Sequence, residues 1–353
     1  MKYLFRLISI IAAFVLLFAA YGGRVDPNVW TLPSLATLAL PAVAIMVVAL
    51  LLLLALFRQW RSAVVLAAAL LLSWPTLKLI CPFNLSHPSA HQGRPQLKVI
   101  TMNVTQFNWQ DGATKPSENM RYLLDQDADI VVIQEGLVYF SYEKTKTVVP
   151  MLDELYKKYP YRKKHFFDVG ILSKYPFTEV QSPVLAQDSL GYFIKAWDVD
   201  APGGSIRVMS MHLSSLRFTT NDSQLIEAMN VPSGRKQRIE SVTRKLDHGF
   251  ISHARQAAAM RQVIDESPGD ILVMGDMNDT PGSFAYRKIC GEDLRDAWAD
   301  AGLGPTYTFH DHHMYVKIDH ILYRGDLRLL QCRRDKEGES DHYPLVAVFE
   351  RDK

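Results

Sequence analysis

The order of apolar and polar positions divides this chain near residue 90. Ahead of that point apolar residues run in long uncharged blocks; beyond it they recur in short runs at helix or strand spacing. Leu7 to Tyr21 carries no charge, Pro27 to Phe57 carries none, and Ala63 to Trp74 forms a third apolar block. Roughly 20 apolar residues in helix cross a hydrocarbon core. The pattern therefore predicts three transmembrane helices, over about residues 4–22, 32–57 and 62–80. Trp74 and Lys78 suit the membrane–water interface at the end of the third.

The later runs read as alternating strands and helices. Leu97 to Val104 is β-rich and contains Asn103; helical spacing from Glu118 to Asp127 leads into Asp129 to Glu135, an apolar strand that delivers a carboxylate at its end. Gly170 to Pro176 reads as a strand entering a turn, and Ile206 to Met211 as a strand ending on His212. Helical periodicity from Ile251 to Ile264 precedes Asp270 to Met274, which opens onto Gly275 and Asp276. Strands near Ile318–Tyr323 and Pro344–Glu350 flank a last acid–histidine pair. Residues 96–353 suffice for one large α/β domain. Residues 81–95, rich in Pro, Ser, His, Asn and Gln, read as a short tether.

Charge changes this picture by giving it a direction. The net charge of +2 hides the division, because almost all charged residues follow residue 90. Lys2 and Arg6 precede the first span, and Arg58 and Arg61 fill the turn between the second and third. The positive-inside bias makes both sites cytoplasmic and puts the C-terminal domain outside, on the periplasmic face of a multi-pass inner-membrane protein. The first span also has the build of a signal peptide, with small residues at Ala19, Ala20 and Gly22. Its cleavage would leave the domain on the same side. Cys290 and Cys332 read as two unpaired buried thiols, and a disulfide requires that they be neighbours in an oxidising compartment. No cysteine spacing suggests zinc.

The chemistry-bearing residues gather at strand ends. Gly275-Asp276-Met277-Asn278, Lys317-Ile318-Asp319-His320 and Ser340-Asp341-His342-Tyr343-Pro344 each set acids, an amide or imidazoles beside an apolar run. Carboxylate and amide oxygens are hard ligands suited to Mg²⁺ or Mn²⁺, and a nearby histidine can donate to a phosphate as charge builds.

Six motifs in order, Met102-Asn103, Ile133-Gln134-Glu135, Met211-His212-Leu213, Gly275-Asp276-Met277-Asn278, Ile318-Asp319 and Ser340-Asp341-His342-Tyr343-Pro344, resemble the endonuclease/exonuclease/phosphatase superfamily of DNase-I-like phosphoesterases. The resemblance covers residues 97–349. It implies a four-layer α/β sandwich and a divalent-metal-dependent phosphoester hydrolase. Glu135 then corresponds to the principal metal ligand, with Asn103 and Asp341 completing the oxygen shell around Mg²⁺ or Mn²⁺. Asp276 corresponds to the residue that orients or deprotonates the attacking water, and Asn278 to the amide that helps hold nucleophile and phosphate. His342 corresponds to a phosphate-contacting histidine, Asp319 to the carboxylate that fixes its tautomer, and His212 to a second histidine donating to phosphate or leaving group.

Several neighbours carry plainer readings. Gln134 either supports Glu135 or ends its strand, and Asp279 reads as the cap of a helix starting near Pro281. His310, His312 and His313 read as loop histidines facing solvent rather than a zinc site. Lys317 stands where many relatives have arginine, whose planar fork supports its neighbours differently. The segment 214–253 is longer than a simple strand-to-helix link and carries Arg217, Arg235, Lys236, Arg238, Arg244, Lys245 and His248 among Asp222, Glu227, Glu240 and Asp247. It reads as a solvated helical insertion, with a basic rim for an anionic substrate as the second reading.

Substrate class stays open among nucleic acid, phospholipid and small phosphoesters. The near balance of charge offers no continuous basic track for a nuclease, whereas the spans favour lipid or cell-envelope phosphoesters, with the bilayer itself as partner. No obligate protein partner is called for. A catalytically silent anchored binding module is the alternative of another class, and it predicts loss of at least one of these ligands.

Overall fold

The computed structural model of the chain describes residues 2–108, 117–136, 149–164, 169–185, 193–215, 235–311 and 314–351. It divides into two compact units. One comprises Met1–Cys81, Leu216–Ala257 and Asp279–Ile289; the other comprises Pro82–Ser215, Ala258–Asn278 and Cys290–Lys353.

The second unit holds every described strand: β1 (Gln96–Asn103), β2 (Ile130–Gln134), β3 (Tyr161–Lys164), β4 (Val169–Ser173), β5 (Phe177–Glu179), β6 (Ile194–Ala201), β7 (Gly204–His212), β8 (Ile271–Asp276), β9 (Arg295–Asp296), β10 (Asp319–Arg324), β11 (Leu327–Arg334) and β12 (Leu345–Arg351). They form two six-stranded sheets, ordered β11-β12-β1-β2-β4-β3 and β5-β6-β7-β8-β10-β9. Each sheet is mixed, with one parallel pair: β1 with β2, and β7 with β8.

Strand alternation explains the layering. Leu97, Val99, Ile130 and Val132 of the first sheet share one core with Trp197, Val208, Leu272, Met274, Ile321 and Tyr323 of the second. The intervening residues Ile100, Met102, Val131 and Ile133 face the other way and bury Met120 and Leu123 of α5 (Glu118–Gln126) and Leu152 and Leu155 of α6 (Val149–Lys158). On the second sheet, Met209, Met211, Ile271 and Val273 alternate with the inner residues and are also fully buried. Met260, Val263 and Ile264, in the last turns of α7 (Arg235–Asp265), are buried in the same unit, and Arg324 of β10 donates to Ile264 O at 3.2 Å. The result is the four-layer α/β sandwich. Cys290 and Cys332 are buried within it and are not joined in a disulfide.

Of residues 81–95, expected to be a tether, the part from Pro82 on belongs to this unit and makes hydrogen bonds within it. Asn84 donates to Ala299 O and Gly302 O at 3.1 and 2.9 Å, and the His91 ring nitrogen meets Glu350 at 2.6 Å. A polar, aperiodic composition reports the lack of a repeating backbone pattern, not the lack of partners.

In the first unit, α1 (Lys2–Tyr21), α3 (Leu40–Leu56) and α4 (Trp60–Ile80) pack around Leu16, Leu40, Val47, Leu54 and Leu66. The Tyr21 hydroxyl donates to Leu72 O at 2.7 Å and the Thr76 hydroxyl to Ala20 O at 2.8 Å, so α1 and α4 run parallel with their C-terminal ends together. Residues 2–24 and 60–80 are each long and apolar enough to cross a membrane. The expected second span is broken: α2 (Leu32–Leu38) meets α3 at 63°, with Pro41 starting the new helix. Pro41 has no amide proton and restricts Ala39-Leu40 ahead of it, which resets the helix axis. Two parallel helices require the chain between them to return, and α3 is that return.

The helix predicted from Ile251 begins at Arg235 instead. Val242, Leu246 and Phe250 repeat every four residues along it and pack on Leu35 and Leu38 of α2. Mixed charge on its other faces concealed that stripe. Arg217, Asp222 and Glu227 lie outside the described residues, as do His312 and His313.

Candidate active site

The inward-facing columns of the sandwich end in polar side chains. Asn103 continues the column of Leu97 and Val99, Gln134 that of Ile130 and Val132, Asp276 that of Leu272 and Met274, and Asp319 that of Ile321 and Tyr323. His212 ends the column of Ile206 and Val208. Register then aligns them: Asn103 pairs with Gln134, His212 with Asp276, and Asp276 with Asp319. The site is thus the polar rim of the inter-sheet core.

Glu135 follows β2 with φ of +55° and Asn278 follows β8 with φ of +50°, a conformation uncommon for residues bearing a Cβ. Both turns redirect the chain where the sheet ends. Gly275 permits the close pairing beside them, since a Cβ there would lie 1.9 Å from Met211 O.

Asp276 is the hub. Its Oδ1 accepts the Asn278 backbone N–H at 2.7 Å, and its Oδ2 lies 3.3 Å from Asn278 Nδ2 and 3.4 Å from Asn103 Nδ2. Asn103 Nδ2 also donates to Glu135 at 3.0 Å, so one amide spans two carboxylates. Nε2 of His212 and of His342 stand 3.6 and 3.8 Å from Asp276 Oδ2. On its other side His342 Nδ1 meets Asp319 Oδ2 at 2.8 Å. Asp276, Asp319 and His342 together place ligand atoms within 4.8 Å of one another, so this buried cluster has the geometry to hold a metal ion.

Burial pushes the Asp276 carboxyl up to about 6 against the pull of His342. Burial alone would depress His342, but the carboxylates of Asp319 and Asp276 carry it up to about 10. Burial likewise opposes ionisation of Asp319, and the adjacent His342 outweighs it, holding that carboxyl below its ordinary range. The site therefore presents an imidazolium beside one firmly ionised and one weakly basic carboxylate.

Sequence reasoning gave no role to the groups that hold these residues, although Ser340 stands in one of the motifs. Ser340 Oγ donates to Asn103 O at 2.6 Å and accepts the His342 N–H at 3.0 Å, tying β1 to the loop before β12. Thr105 Oγ1 bonds Ser340 at 2.8 Å and also donates to Asp341. Thr308 Oγ1 accepts from the Ile318 and Asp319 amides, each at 3.0 Å. Hydroxyls distant in sequence carry no periodic signal.

Lys317 is buried, with Nζ 3.3 Å from Asp296 and 2.7 Å from His320 Nδ1. It anchors the start of β10 from behind. Asp279 is not the expected cap. Ser283 caps α8 (Phe284–Cys290) by accepting the Tyr286 amide at 3.1 Å, while Asp279 meets buried His253 at 3.4 Å. Gln134, fully buried, has Nε2 3.4 Å from Thr101 Oγ1. His310 stacks on Tyr343 with ring centroids 3.9 Å apart.

Two mixed sheets with an acid, amide and imidazole cluster at their rim define a DNase-I-like phosphoesterase. Residues 111–342 match the Endonuclease/Exonuclease/phosphatase family, and the chain belongs to that family. Its members are phosphoester hydrolases that use divalent metals. Residues 2–79 match a Domain of unknown function (DUF8431). No curated protein matches the chain. An AP endonuclease from Archaeoglobus fulgidus is similar at 18% identity and a TM-score of 0.49, over 72% of this chain and 99% of that one. An endonuclease/exonuclease/phosphatase from Bacteroides vulgatus is similar at 18% and 0.48, over 73% and 100%. D. rerio TDP2 complexed with single strand DNA product is similar at 16% and 0.47, over 72% and 98%.

Proposed function

We propose that this chain is a membrane-anchored, divalent-metal-dependent phosphoester hydrolase, with residues 1–80 as anchor and residues 96–353 as an extracytoplasmic catalytic domain. The observation that carries the chemistry is the convergence of Asn103, Glu135, His212, Asp276, Asn278, Asp319 and His342 on one rim of the sandwich. A silent binding module would have no need of that set intact.

The donor chemistry fits a hard cation. Glu135 and Asp341 offer carboxylate oxygens; Asn103 Oδ1 accepts the Thr105 N–H at 3.1 Å while its Nδ2 bridges two carboxylates whose repulsion a cation would offset, so a bound cation would take the amide oxygen after the Asn103 amide turns over. We assign the ion to these three rather than to Asp276, Asp319 and His342, because the 2.8 Å bond between Asp319 and His342 already engages the facing atoms of that pair. When bound there, Mg²⁺ or Mn²⁺ supplies charge neutralisation at the phosphate and leaving oxygens.

The chain's own residues do the rest. Asp276, raised to about 6, is basic enough to take a proton from the attacking water and stays mostly ionised at neutral pH. Asn278 fixes the orientation of that carboxylate. His342, as imidazolium, donates from Nε2 to a phosphate oxygen while Asp319 holds Nδ1–H. His212 donates to the phosphate or the leaving oxygen.

The test is hydrolysis of bis(p-nitrophenyl) phosphate by the full chain in detergent, with Mg²⁺ or Mn²⁺ added. Activity in the wild type and its loss in Glu135→Ala and His342→Ala are expected; equal rates in all three would overturn the assignment. Protease added to intact spheroplasts should digest the domain, and protection would reverse the orientation.

A further inference from the structure

Residues Asp279–Ile289 follow the proposed catalytic Asn278 directly and belong to the same compact unit as the apolar helices. Gly282 sits so close to Gly23 that a Cβ on Gly23 would lie 1.9 Å from Gly282 O. Arg287 donates from Nη2 to Thr76 Oγ1 at 2.7 Å and from Nε to Gly282 O at 3.0 Å. Thr76 in turn donates to Ala20 O at 2.8 Å. These contacts fall at the joined C-terminal ends of α1 and α4. The same ends carry Tyr21, Arg24 and Trp74, with Trp30 close by in the chain, and both tryptophans are about half exposed. Aromatic and basic side chains of this kind mark a lipid–water boundary.

Covalent connectivity alone then limits how far the catalytic Asn278 can stand from that boundary. Gly282 is four residues beyond it, a reach of about 14 Å of extended chain. Headgroup phosphates occupy a layer roughly 5–8 Å deep at the same boundary. The other covalent link tells the same story. Phe83 and Leu85 follow the end of α4 by a few residues, are 67% and 84% exposed, and stand with Leu303, which pairs with Phe83 and is 55% exposed. Asn84 pins this stretch to the catalytic unit. An apolar patch held within chain reach of a bilayer is stabilised by entering its interface.

We infer that the phosphoester is a glycerophospholipid of the membrane in which α1, α3 and α4 stand, an assignment that rests on the hydrolytic reading above. The water oxygen forms the new P–O bond and the P–O bond to the leaving alcohol breaks. The water's proton passes to Asp276 and on to solvent, and the leaving oxygen takes up a proton from solvent as it departs as the alcohol. A soluble substrate would need neither the seating of the 279–289 segment on the helix ends nor an apolar patch that follows α4 within a few residues of chain.

The full chain reconstituted in vesicles of phosphatidylethanolamine and phosphatidylglycerol, with Mn²⁺ added, tests this. Protein-free vesicles of the same lipids carrying a labelled headgroup and bis(p-nitrophenyl) phosphate serve as comparators. Headgroup or phosphate should be released from the protein's own vesicles at least about tenfold faster than from the separate population, because anchoring raises the effective concentration of lipid. Cleavage of the soluble ester without lipid product, or equal rates on both vesicle populations, overturns the lipid assignment and leaves the hydrolase standing. Absence of every activity overturns both.

Discussion

Nδ1 of His342 lies 2.8 Å from Oδ2 of Asp319, and both side chains are buried. Asp319 thereby engages one nitrogen of His342 and leaves the other, Nε2, toward Asp276 at 3.8 Å.

That pair makes stability depend on pH in a definite direction. His342 rises from its ordinary 6.5 to about 10, so its contribution is full below 6.5 and is lost as pH climbs through 10. Asp276, raised from 3.8 to about 6, works in the same sense but at lower pH, between about 4 and 6, because there its folded form holds a proton that the unfolded chain has released; above pH 6 the dependence is that of His342 alone. The thermal midpoint of the metal-free full chain in detergent should therefore fall steadily from near pH 6 to pH 10. His342→Gln should flatten the slope above pH 7. A flat wild-type profile would show that the imidazolium is not held by these carboxylates.

Glu135 shares the Asn103 amide with Asp276 and stands at the most solvent-accessible edge of the three. Glu135→Gln keeps the shape and removes the charge that would hold a cation. Turnover of bis(p-nitrophenyl) phosphate should drop by roughly 10²-fold or more, with a higher Mn²⁺ concentration needed for half-maximal rate. The melting midpoint without metal should hold or rise, since one of two neighbouring carboxylates is gone. A normal Mn²⁺ requirement in the variant would move the metal elsewhere.

Ser340 carries no proposed chemistry and holds two strands of the site together. Ser340→Ala removes the bond to Asn103 O at 2.6 Å and leaves the His342 amide without its acceptor. Buried groups left in that state cost about 1–3 kcal/mol. Thermal or denaturant unfolding should register that loss, and kcat should fall more than KM rises because Asn103 and His342 drift relative to each other. Ser340→Thr, which keeps the hydroxyl, should recover most of both.

The residues proposed to act were legible because chemistry concentrates them at strand ends. Asp276, Glu135 and His212 each terminate an apolar run that reads as a strand without any structure. What joins them was not legible. Thr105 and Thr308 contribute single hydroxyls that nothing local distinguishes from solvated ones, and Ser340, although it stands in the Ser340-Asp341-His342 motif, shows nothing in sequence of its bond to Asn103 O. The second predicted span showed composition but not its break, because an unbroken apolar run hides the axis change that Pro41 imposes. The apolar stripe of Val242, Leu246 and Phe250 was masked by the charges interleaved with it, although its four-residue spacing was there to be counted.

Gly275 opens the motif that delivers Asp276, and two separate constraints fix it as glycine. Its φ of +143° lies where a Cβ is strained, and the built Cβ would lie 1.9 Å from Met211 O and 2.9 Å from Met211 C, both backbone atoms of the neighbouring parallel strand. Neither atom can move without opening the β7–β8 pair, in which Met211 partners Gly275 and His212 partners Asp276. Gly204 offers the matched comparison, with φ of +107° and nothing within 4 Å of a built Cβ. Gly204→Ala should cost about 1 kcal/mol from backbone strain alone. Gly275→Ala should cost upwards of about 3 kcal/mol and separate His212 from Asp276. Melting curves of the two purified variants, read beside their hydrolysis rates, decide it: similar midpoints would mean that the close approach of β7 and β8 does not constrain the site.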